Sequence, residues 1–590
     1  MDPPPGADRA PFVRLDSLDP RRGARSFRFS GLRRIVRADR LDEVLPALAA
    51  VEAAAAEGLH AVGFVAYEAA PAFDSALHTL PPDPRLPLLW FAVYAGRHEV
   101  AADDEDAPAD FVLGEWRLAT AEGEYRRRVE RIRELIAAGD TYQVNYTVRM
   151  RAPFRGSALA LYRRLGRAQR SAFGAYLDLG GQVILSASPE LFFRWAGGEL
   201  ELRPMKGTRP RGRWAEEDDA LAAELPASPK ERAENLMIVD LLRSDAGRVS
   251  DFGSVRVERL FEVERYETVH QLTSTIRSRT RSGTTLTDVF RALFPCGSVT
   301  GAPKVRTSEL IAELEDAPRG VYTGAIGFVS PDEALFSVAI RTLVLDRAAG
   351  EVELGVGSGI TFDSHPGAEY RECLAKAAFT RRAPADFRLL ETLRWEAGDG
   401  FFLLDGHLER LARSAAYFGF RCEGEEVRAR LLAAAEAATS GVWRVRLTLG
   451  RDGDVEVACE ALAESSGTAQ VAVAAPPVDS ADPLLYHKTT QREVYQRAAA
   501  LHADCDDVLL VNERGELTES TIANLVVELD GGRWTPPLDS GLLPGVLRAE
   551  LLRRGEVRER VLRPDDLERA DAVWLVNSVR GWRPASVRSS

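Results

Sequence analysis

The chain has 590 residues, 45% hydrophobic and 28% charged, which is enough for several ordinary globular cores and too much for one small module. Its formal net charge of −13 argues against a nucleic-acid backbone as the main partner, because a phosphate-tracking surface needs a basic excess. Five cysteines with no CxxC pair suit neither a disulfide framework nor a zinc site, and imply reduced thiols in a cytoplasmic protein. The opening MDPPPGADRAP lacks the basic-then-apolar order of a signal peptide, and no apolar run approaches the ~18 residues of a membrane span. Of 76 basic residues only Lys206, Lys230, Lys304, Lys376 and Lys488 are lysine. Arginine-favouring coding bias explains most of this depletion. Arginine, with a pKa above ~12, nevertheless cannot act as a neutral amine nucleophile or form a Schiff base, so each lysine merits separate inspection.

In chain order, residues 1–10 read as a flexible tail and 45–56 as a short alanine-rich helix whose apolar run Glu52 interrupts. Residues 101–110 (AADDEDAPAD) read as an acidic surface loop. From Glu122, apolar Val129, Ile132, Leu135 and Ile136 predict a helix ending at Gly139-Asp140, and alternation over 142–150 predicts a strand. Strands follow over 183–193 and 199–202, then a helix over 229–243, capped by Ser228 and carrying Leu236, Val239 and Leu242. Strand-like runs recur at 325–328, 335–344 and 352–356, and a helix over 367–379 leads into TRRAPAD (380–386), a polar, proline-containing linker. Beyond it come a helix over 407–418 and strands at 442–449, 507–511 and 524–528, with no repeat of the first half. The expected organisation is a tail (1–10), a first domain (11–379), a linker (380–386) and a second domain (387–590).

Two glycine-rich segments fail as nucleotide motifs. GSVTGAPK (297–304) lacks the order of a P-loop, and GVGSG (355–359) does not give G-x-G-x-x-G before a helix. HExxH is absent, and no G-x-S-x-G elbow with later triad partners stands out. Two acidic pairs carry more: Glu231 with Glu234, and Glu369 with Glu372, each spaced to share one helix face. Either pair alone is an ordinary solvated face. Two such helices converging would suit Mg2+, which takes hard oxygen ligands, keeps several waters and is completed by an anionic substrate.

The wider pattern decides. GDTYQVNYT (139–147), SASPELFF (186–193), RPMKGTRPRG (203–212), KERAENLMIVDLLRSD (230–245), ETVHQLTS (267–274), FPCGSVTGAPK (294–304), YTGAIGF (322–328), IRT (340–342) and GSGITFDSHPGAEYREC (357–373) stand in one order. Over about 28–379 the chain thereby resembles the chorismate-utilising enzymes: anthranilate, aminodeoxychorismate, isochorismate and salicylate synthases. The resemblance implies chorismate as substrate and Mg2+ held by Glu231, Glu234, Glu369 and Glu372. It implies Glu190 as general acid for departure of the C4 hydroxyl, His270 and Thr300 lining the ring site, and Arg341 with backbone amides around Gly357 and Gly359 holding a carboxylate. Within the group, isochorismate-type members carry a lysine base where this chain has Gln143. Lys206, in PMKGT, matches the aminodeoxychorismate branch, where an amine beside C2 can attack covalently before ammonia displaces it. Two departures stand out: RSAF (170–173) replaces a proline-rich segment, and Ser244 replaces an asparagine. No G-x-C-x-G nucleophile turn of a glutaminase is present, so ammonia is expected from a separate glutamine amidotransferase subunit or from solution.

The second domain has a single lysine, Lys488. LLETLRW (389–395), LLDGHLERLARSAAYFGF (403–420), HKTTQR (487–492), LTESTIANL (517–525), TPPLDSGLLPGVLR (535–548) and WLVNSVRGWRP (574–584) resemble the fold-type IV pyridoxal-phosphate enzymes, which include class IV aminotransferases and aminodeoxychorismate lyase. The resemblance implies that Lys488 bonds the cofactor and moves the substrate proton, that Glu519 pairs with the pyridine nitrogen, and that Arg410, the amides of Val546 and Leu547, and Asn577-Ser578 hold the phosphate. The fold class expected is α+β: a large domain of β-sandwich and helices, then a two-subdomain fold-type IV domain. Joined, the two halves imply consecutive steps from chorismate to 4-aminobenzoate. The alternatives are an anthranilate-synthase-like domain fused to a true aminotransferase, and a catalytically silent scaffold that binds an amidotransferase.

Overall fold

The computed structural model describes residues 12–19, 25–101, 110–381, 387–436, 440–463 and 467–588. The expected tail, most of the acidic loop and most of the linker lie outside them. The chain forms two compact units, Met1–Pro210 with Ala222–Pro384, and Arg211–Leu221 with Ala385–Ser590. The expected unbroken first domain is therefore interrupted. Residues 211–221 pack with the second unit because their aromatic and charged side chains find partners there. Trp214 lies 5.1 Å from the Tyr486 ring, the Tyr417 hydroxyl donates to the Gly212 carbonyl at 2.7 Å, and Arg211, paired with Asp218 at 2.7 Å, also donates to the Tyr417 carbonyl.

Among the described residues of the first unit every paired strand is antiparallel, and alternation along the strands serves two different cores. Val62, Phe64, Trp90, Ala92 and Ile184 join a core between sheet layers with Phe27, Ile326 and Phe328. Their sequence neighbours face outward onto helices. Ala61, Val65, Phe91 and Val93 pack with residues of the helices Leu41–Ala56, Pro229–Gly247 and Leu286–Leu293. Val183 and Leu185 pack with residues of Glu122–Ala137, Ala158–Gln169, Lys304–Leu314 and Pro366–Ala377. This is the sandwich with outer helices that the sequence leads one to expect.

The helix over Pro229–Gly247 begins as predicted, with the Ser228 hydroxyl accepting from the Glu231 amide. The strand expected over 183–193 is two strands, Gln182–Ser188 and Leu191–Ala196. Pro189 cannot donate to a ladder, and at this break the chain changes partners: Gln182–Ser188 pairs with Phe173–Asp178 and Thr342–Asp346, whereas Leu191–Ala196 pairs with Glu199–Leu202 and Glu333–Val338. Glu190 sits at the crossing.

The described residues of the second unit form two sheets. One is antiparallel, in the order Gly400–Phe401, Leu389–Glu396, Val442–Leu449, Val455–Ala461. Its buried face (Leu389, Leu393, Val445, Leu447) packs with residues of the helices Leu404–Phe418 and Gly424–Ala435. In the other, Ala469–Val473 pairs in parallel with Asp507–Val511 and Gly581–Val587, while Asn524–Leu529 pairs antiparallel with Ala572–Asn577. Among the described residues no helix is long and apolar enough to cross a membrane.

Candidate active sites

In the first unit, Gln143–Gly156 runs antiparallel to Glu351–Ile360, with Asn145 opposite Gly359. A side chain at Gly359 would displace the groups above it: a Cβ there would lie 2.1 Å from Gln143 Nε2 and 2.8 Å from Lys206 Nζ. The glycine is thus the floor under the Lys206 amine and the Gln143 amide. Gln143 is buried and its Oε1 has no hydrogen-bond partner, leaving an acceptor for a ligand. Lys206 lies on Met205–Pro210 and is held from behind by Asn235, whose Nδ2 donates to the Lys206 carbonyl at 3.2 Å and which accepts from the Ser274 hydroxyl at 2.7 Å. Burial lowers the Lys206 pKa, against the pull of Glu234, Glu190 and Glu372. That favours the neutral amine.

Glu190 is 3% exposed. Burial pushes its carboxyl up to about 7, moderated by the Ser298 hydroxyl that donates to Oε1 at 2.7 Å and by the charge of Lys206. A carboxyl poised near neutrality can deliver a proton. His270 is fully buried, opposite Arg209 and Arg265. Thr300 is also buried, its hydroxyl donating to the Cys296 carbonyl at 3.1 Å. Arg341 adopts a left-handed φ of 51°, a conformation that costs a non-glycine residue strain. Among the described residues its guanidinium makes no hydrogen bond or ion pair, and its only ring contact is Phe379 at 5.9 Å. A partly buried cation left unpaired in this way suits an anionic ligand. Gly357 admits no Cβ, which would stand 2.4 Å from the Tyr146 carbonyl, and its own carbonyl accepts from Lys376 at 2.7 Å. Sequence reasoning passed over Ser298 and Asn235, although both lie within the quoted motifs.

The four glutamates are brought together only in part. Glu234 stands close enough to Glu231 and Glu369 for their charges to reinforce burial in raising its pKa. Glu231 pairs with Arg209 at 3.1 Å, Glu372 with Lys376 at 2.6 Å, and Glu369 accepts from the Ser358 hydroxyl. Among the described residues no three acidic, histidine or cysteine side chains form a metal cage. Glu234 lies 4.0 Å from Lys230, so each of the four has a partner; Glu234 and Glu369 are the two whose carboxylates could serve a Mg2+ completed by water and substrate. Lys304 pairs with Asp245 at 2.7 Å and donates to the Leu293 carbonyl, so it anchors a loop.

In the second unit a cavity of about 310 Å3 has Lys488, Glu519, Arg410, Val546, Asn577 and Ser578 in its wall. Leu547 is buried in the same helix, Val546–Arg553, one residue behind Val546. Burial lowers Lys488 to about 8. Glu519 is raised to about 7 by burial, and is fixed by the Tyr495 hydroxyl at 2.8 Å, the Leu543 amide at 3.1 Å and Asn524 Nδ2 at 3.2 Å. A cation or N–H placed against it would complete the set. Arg410 donates to the Pro544 carbonyl and, through Nε and Nη2, to Glu391. Glu391 also accepts from His407 Nδ1 at 2.7 Å. Burial alone would raise Glu391, but Arg410 and His407 hold it down at about 2. Asn577 Oδ1 accepts from the amides of Val579 and Arg580, which fixes the turn carrying Ser578. An amine, a carboxylate and an anion cradle in one cavity fit pyridoxal phosphate.

Residues 19–382 match the model of the chorismate binding enzymes. The chain belongs to that family. A second match, over residues 388–587, is to amino-transferase class IV; the two together bear out the fusion read from the motifs. This chorismate-binding enzyme is 45% identical over 288 residues to anthranilate synthase component 1 of Streptomyces coelicolor, covering 48% of this chain and 55% of that one. It is 48% identical over 261 residues to an aminodeoxychorismate synthase of Streptomyces pristinaespiralis, covering 44% and 36% respectively. The menaquinone-specific isochorismate synthase of Escherichia coli shares the fold, with 19% identity and a TM-score of 0.51 over 63% of this chain and 88% of its own. The chain thus spans only 55% and 36% of the two curated relatives.

Proposed function

We propose that the first unit aminates chorismate to 4-amino-4-deoxychorismate and that the second removes pyruvate from this product to leave 4-aminobenzoate, for folate synthesis in the cytoplasm. The observation that carries the reading is the placement of the Lys206 amine on Gly359, beside Gln143 and within the electrostatic reach of Glu190. A lysine there distinguishes an aminodeoxychorismate synthase from the anthranilate branch. The neutral amine attacks ring carbon C2; both ring double bonds shift; the C4 hydroxyl leaves as water with the proton of Glu190, and the proton shed by the amine restores that acid. Ammonia then adds at C4 and loses a proton, the two double bonds return, and the bond from C2 to Lys206 breaks as its nitrogen takes up a proton. Arg341 holds a substrate carboxylate, and Glu234 and Glu369 would hold a Mg2+ that neutralises further substrate charge. Ammonia comes from a separate glutamine amidotransferase subunit.

Pyridoxal phosphate, when bound in the second unit, supplies an electron sink. Lys488 takes the proton from the ring carbon that bears the amino group, and enolpyruvate departs from the neighbouring carbon as the ring becomes aromatic. Glu519 holds a proton on the pyridine nitrogen. Arg410, fixed by Glu391, and the amides at Val546 and Leu547 hold the phosphate, with Asn577 and Ser578 closing the cradle. The test is a coupled assay with chorismate, Mg2+ and ammonium. Lys488→Ala should accumulate aminodeoxychorismate, and Lys206→Ala should make little of it. Anthranilate as the wild-type product, or equal 4-aminobenzoate from all three proteins, would overturn the reading.

A further inference from the structure

The backbone on the two sides of Lys488 is anchored differently. On the C-terminal side it lies along the strand Leu389–Glu396: the Lys488 carbonyl accepts from the Leu390 amide at 2.9 Å, and the Thr490 amide donates to the Arg388 carbonyl at 2.9 Å. On the N-terminal side stand Tyr486 and His487, both buried. What supports them is Arg211–Leu221, the short segment that belongs to the second unit although it comes from far up the chain.

Tyr486 meets that segment directly. Its ring centre lies 5.1 Å from that of Trp214 and 5.8 Å from the Arg213 guanidinium, and its hydroxyl donates to the Ser480 carbonyl at 2.7 Å. His487 meets it through Tyr417. The two ring centres are 4.3 Å apart, and His487 Nδ1 stands 3.0 Å from the Ser414 hydroxyl. Tyr417 is itself held at three points. Its hydroxyl donates to the Gly212 carbonyl at 2.7 Å, its carbonyl accepts from Arg211 at 2.8 Å, and the Arg211 guanidinium lies 4.2 Å from its ring centre. Burial and the charge of Arg211 lower His487 to about 3, so its ring packs as a neutral aromatic. The segment is closely folded: Asp218 is 1% exposed and accepts from Arg211 at 2.7 Å and from the Gly212 amide at 2.9 Å. A Cβ on Gly212 would stand 2.2 Å from the Asp218 amide nitrogen. Such packing makes a stiff support.

We propose that Trp214 and Tyr417 are positioning residues for Lys488: backed by residues 211–221, they fix the backbone from which the lysine amine reaches cofactor and substrate. The inference rests on the reading of Lys488 as the residue that bonds the cofactor and moves the proton. Neither Trp214 nor Tyr417 lines the cavity, so both act on rate and leave substrate binding alone. A reacting group displaced by about 1 Å costs on the order of a hundredfold in rate. A support under the two residues that precede Lys488 is therefore enough to govern the step.

The test uses the full-length protein loaded with pyridoxal phosphate, in wild-type, Trp214→Ala, Trp214→Phe and Tyr417→Phe forms, and supplied with aminodeoxychorismate. Trp214→Ala should lower kcat roughly tenfold to a hundredfold, with KM within about threefold. Trp214→Phe, which keeps an aromatic face on Tyr486, should recover most of the loss. Tyr417→Phe removes only the bond to Gly212 and should lower kcat about threefold to tenfold. Two readouts need no turnover. In Trp214→Ala the midpoint of the pH titration of the cofactor absorption band should shift by at least about half a unit. In the cofactor-free variant the amides of Leu485 and Tyr486, bonded to the Asp482 and Pro483 carbonyls, should exchange with deuterium at least about tenfold faster. A lower Tm with kcat and the titration unchanged would mean a merely structural role and overturns the proposal, as does a loss carried by KM alone. Borohydride reduction of the loaded wild type, with the label located by peptide mass, checks the underlying reading. A label on another lysine overturns that reading and the proposal together. A label at Lys488 without conversion of aminodeoxychorismate overturns the lyase activity alone, and the titration still decides the role of Trp214.

Discussion

Gly359→Ala isolates the geometry of the first site. The added methyl would stand 2.1 Å from Gln143 Nε2 and 2.8 Å from Lys206 Nζ, where ordinary contact begins at 3.4 Å. The amide must therefore retreat by roughly 1.3 Å and the amine by roughly 0.6 Å. Both obstructing atoms are ends of flexible side chains, so the fold can yield at little cost. The backbone at 359 is not left-handed, and alanine in a compatible conformation gains about 0.4–1 kcal/mol by restricting the unfolded chain. Misplacing a reacting group by about 1 Å costs on the order of a hundredfold in rate, equivalent to about 2.7 kcal/mol of barrier. Ammonium-dependent amination of chorismate should therefore fall about a hundredfold, while Tm stays within a few degrees. The second unit's rate on supplied aminodeoxychorismate should not change. An amination rate within about threefold of wild type would refute the idea that Gly359 sets the position of the amine.

Glu190 gives a pH signature. Because burial raises it from an ordinary value near 4.5 to about 7, the folded protein keeps a proton that the unfolded chain releases, and its contribution to stability is lost as pH rises from about 4.5 through 7. Glu190→Gln should make the fall of Tm between pH 5 and 8 shallower and should abolish amination; an unaltered slope in thermal melts would count against the buried acid. Ser298→Ala removes the hydroxyl that lowers the Glu190 pKa, so the alkaline limb of the wild-type rate profile should move up by about one pH unit. A limb that stays put, or moves down, would contradict this. Glu391→Ala strips Arg410 and His407 of their shared carboxylate, and should cost about 3–5 kcal/mol in denaturant unfolding. Spectroscopic titration should also show pyridoxal phosphate bound at least about tenfold more weakly. Loss of stability with unchanged cofactor affinity would remove Arg410 from the phosphate cradle.

Local signals carried much of the fold. The helix over Glu122–Ala137 followed from apolar spacing, and the Ser228 cap from the identity of the residue. The break at Pro189 was read through because the flanking residues, VILSAS and LFF, alternate well on both sides. Only the sheet partners reveal that the chain changes neighbours there, and partners are long-range facts. Glu190 could be matched to a motif, but its proton affinity is raised by burial and held back by Ser298, 108 positions away. Likewise Lys206 announced itself by rarity. Its floor, Gly359, and its neighbour, Gln143, lie on two other strands that no local pattern joins to it.

The assignment of residues 211–221 to the second unit bears on whether the two units could ever part. A gene split at the linker would yield a C-terminal product without Trp214 against Tyr486, and with the Tyr417 hydroxyl deprived of the Gly212 carbonyl. The N-terminal product would carry Arg211 and Trp214 as surplus groups bared to water. Fission of this gene would thus produce one fragment with a wound and another with a sticky patch. Only a break that duplicated or redesigned that short segment would leave two independent proteins.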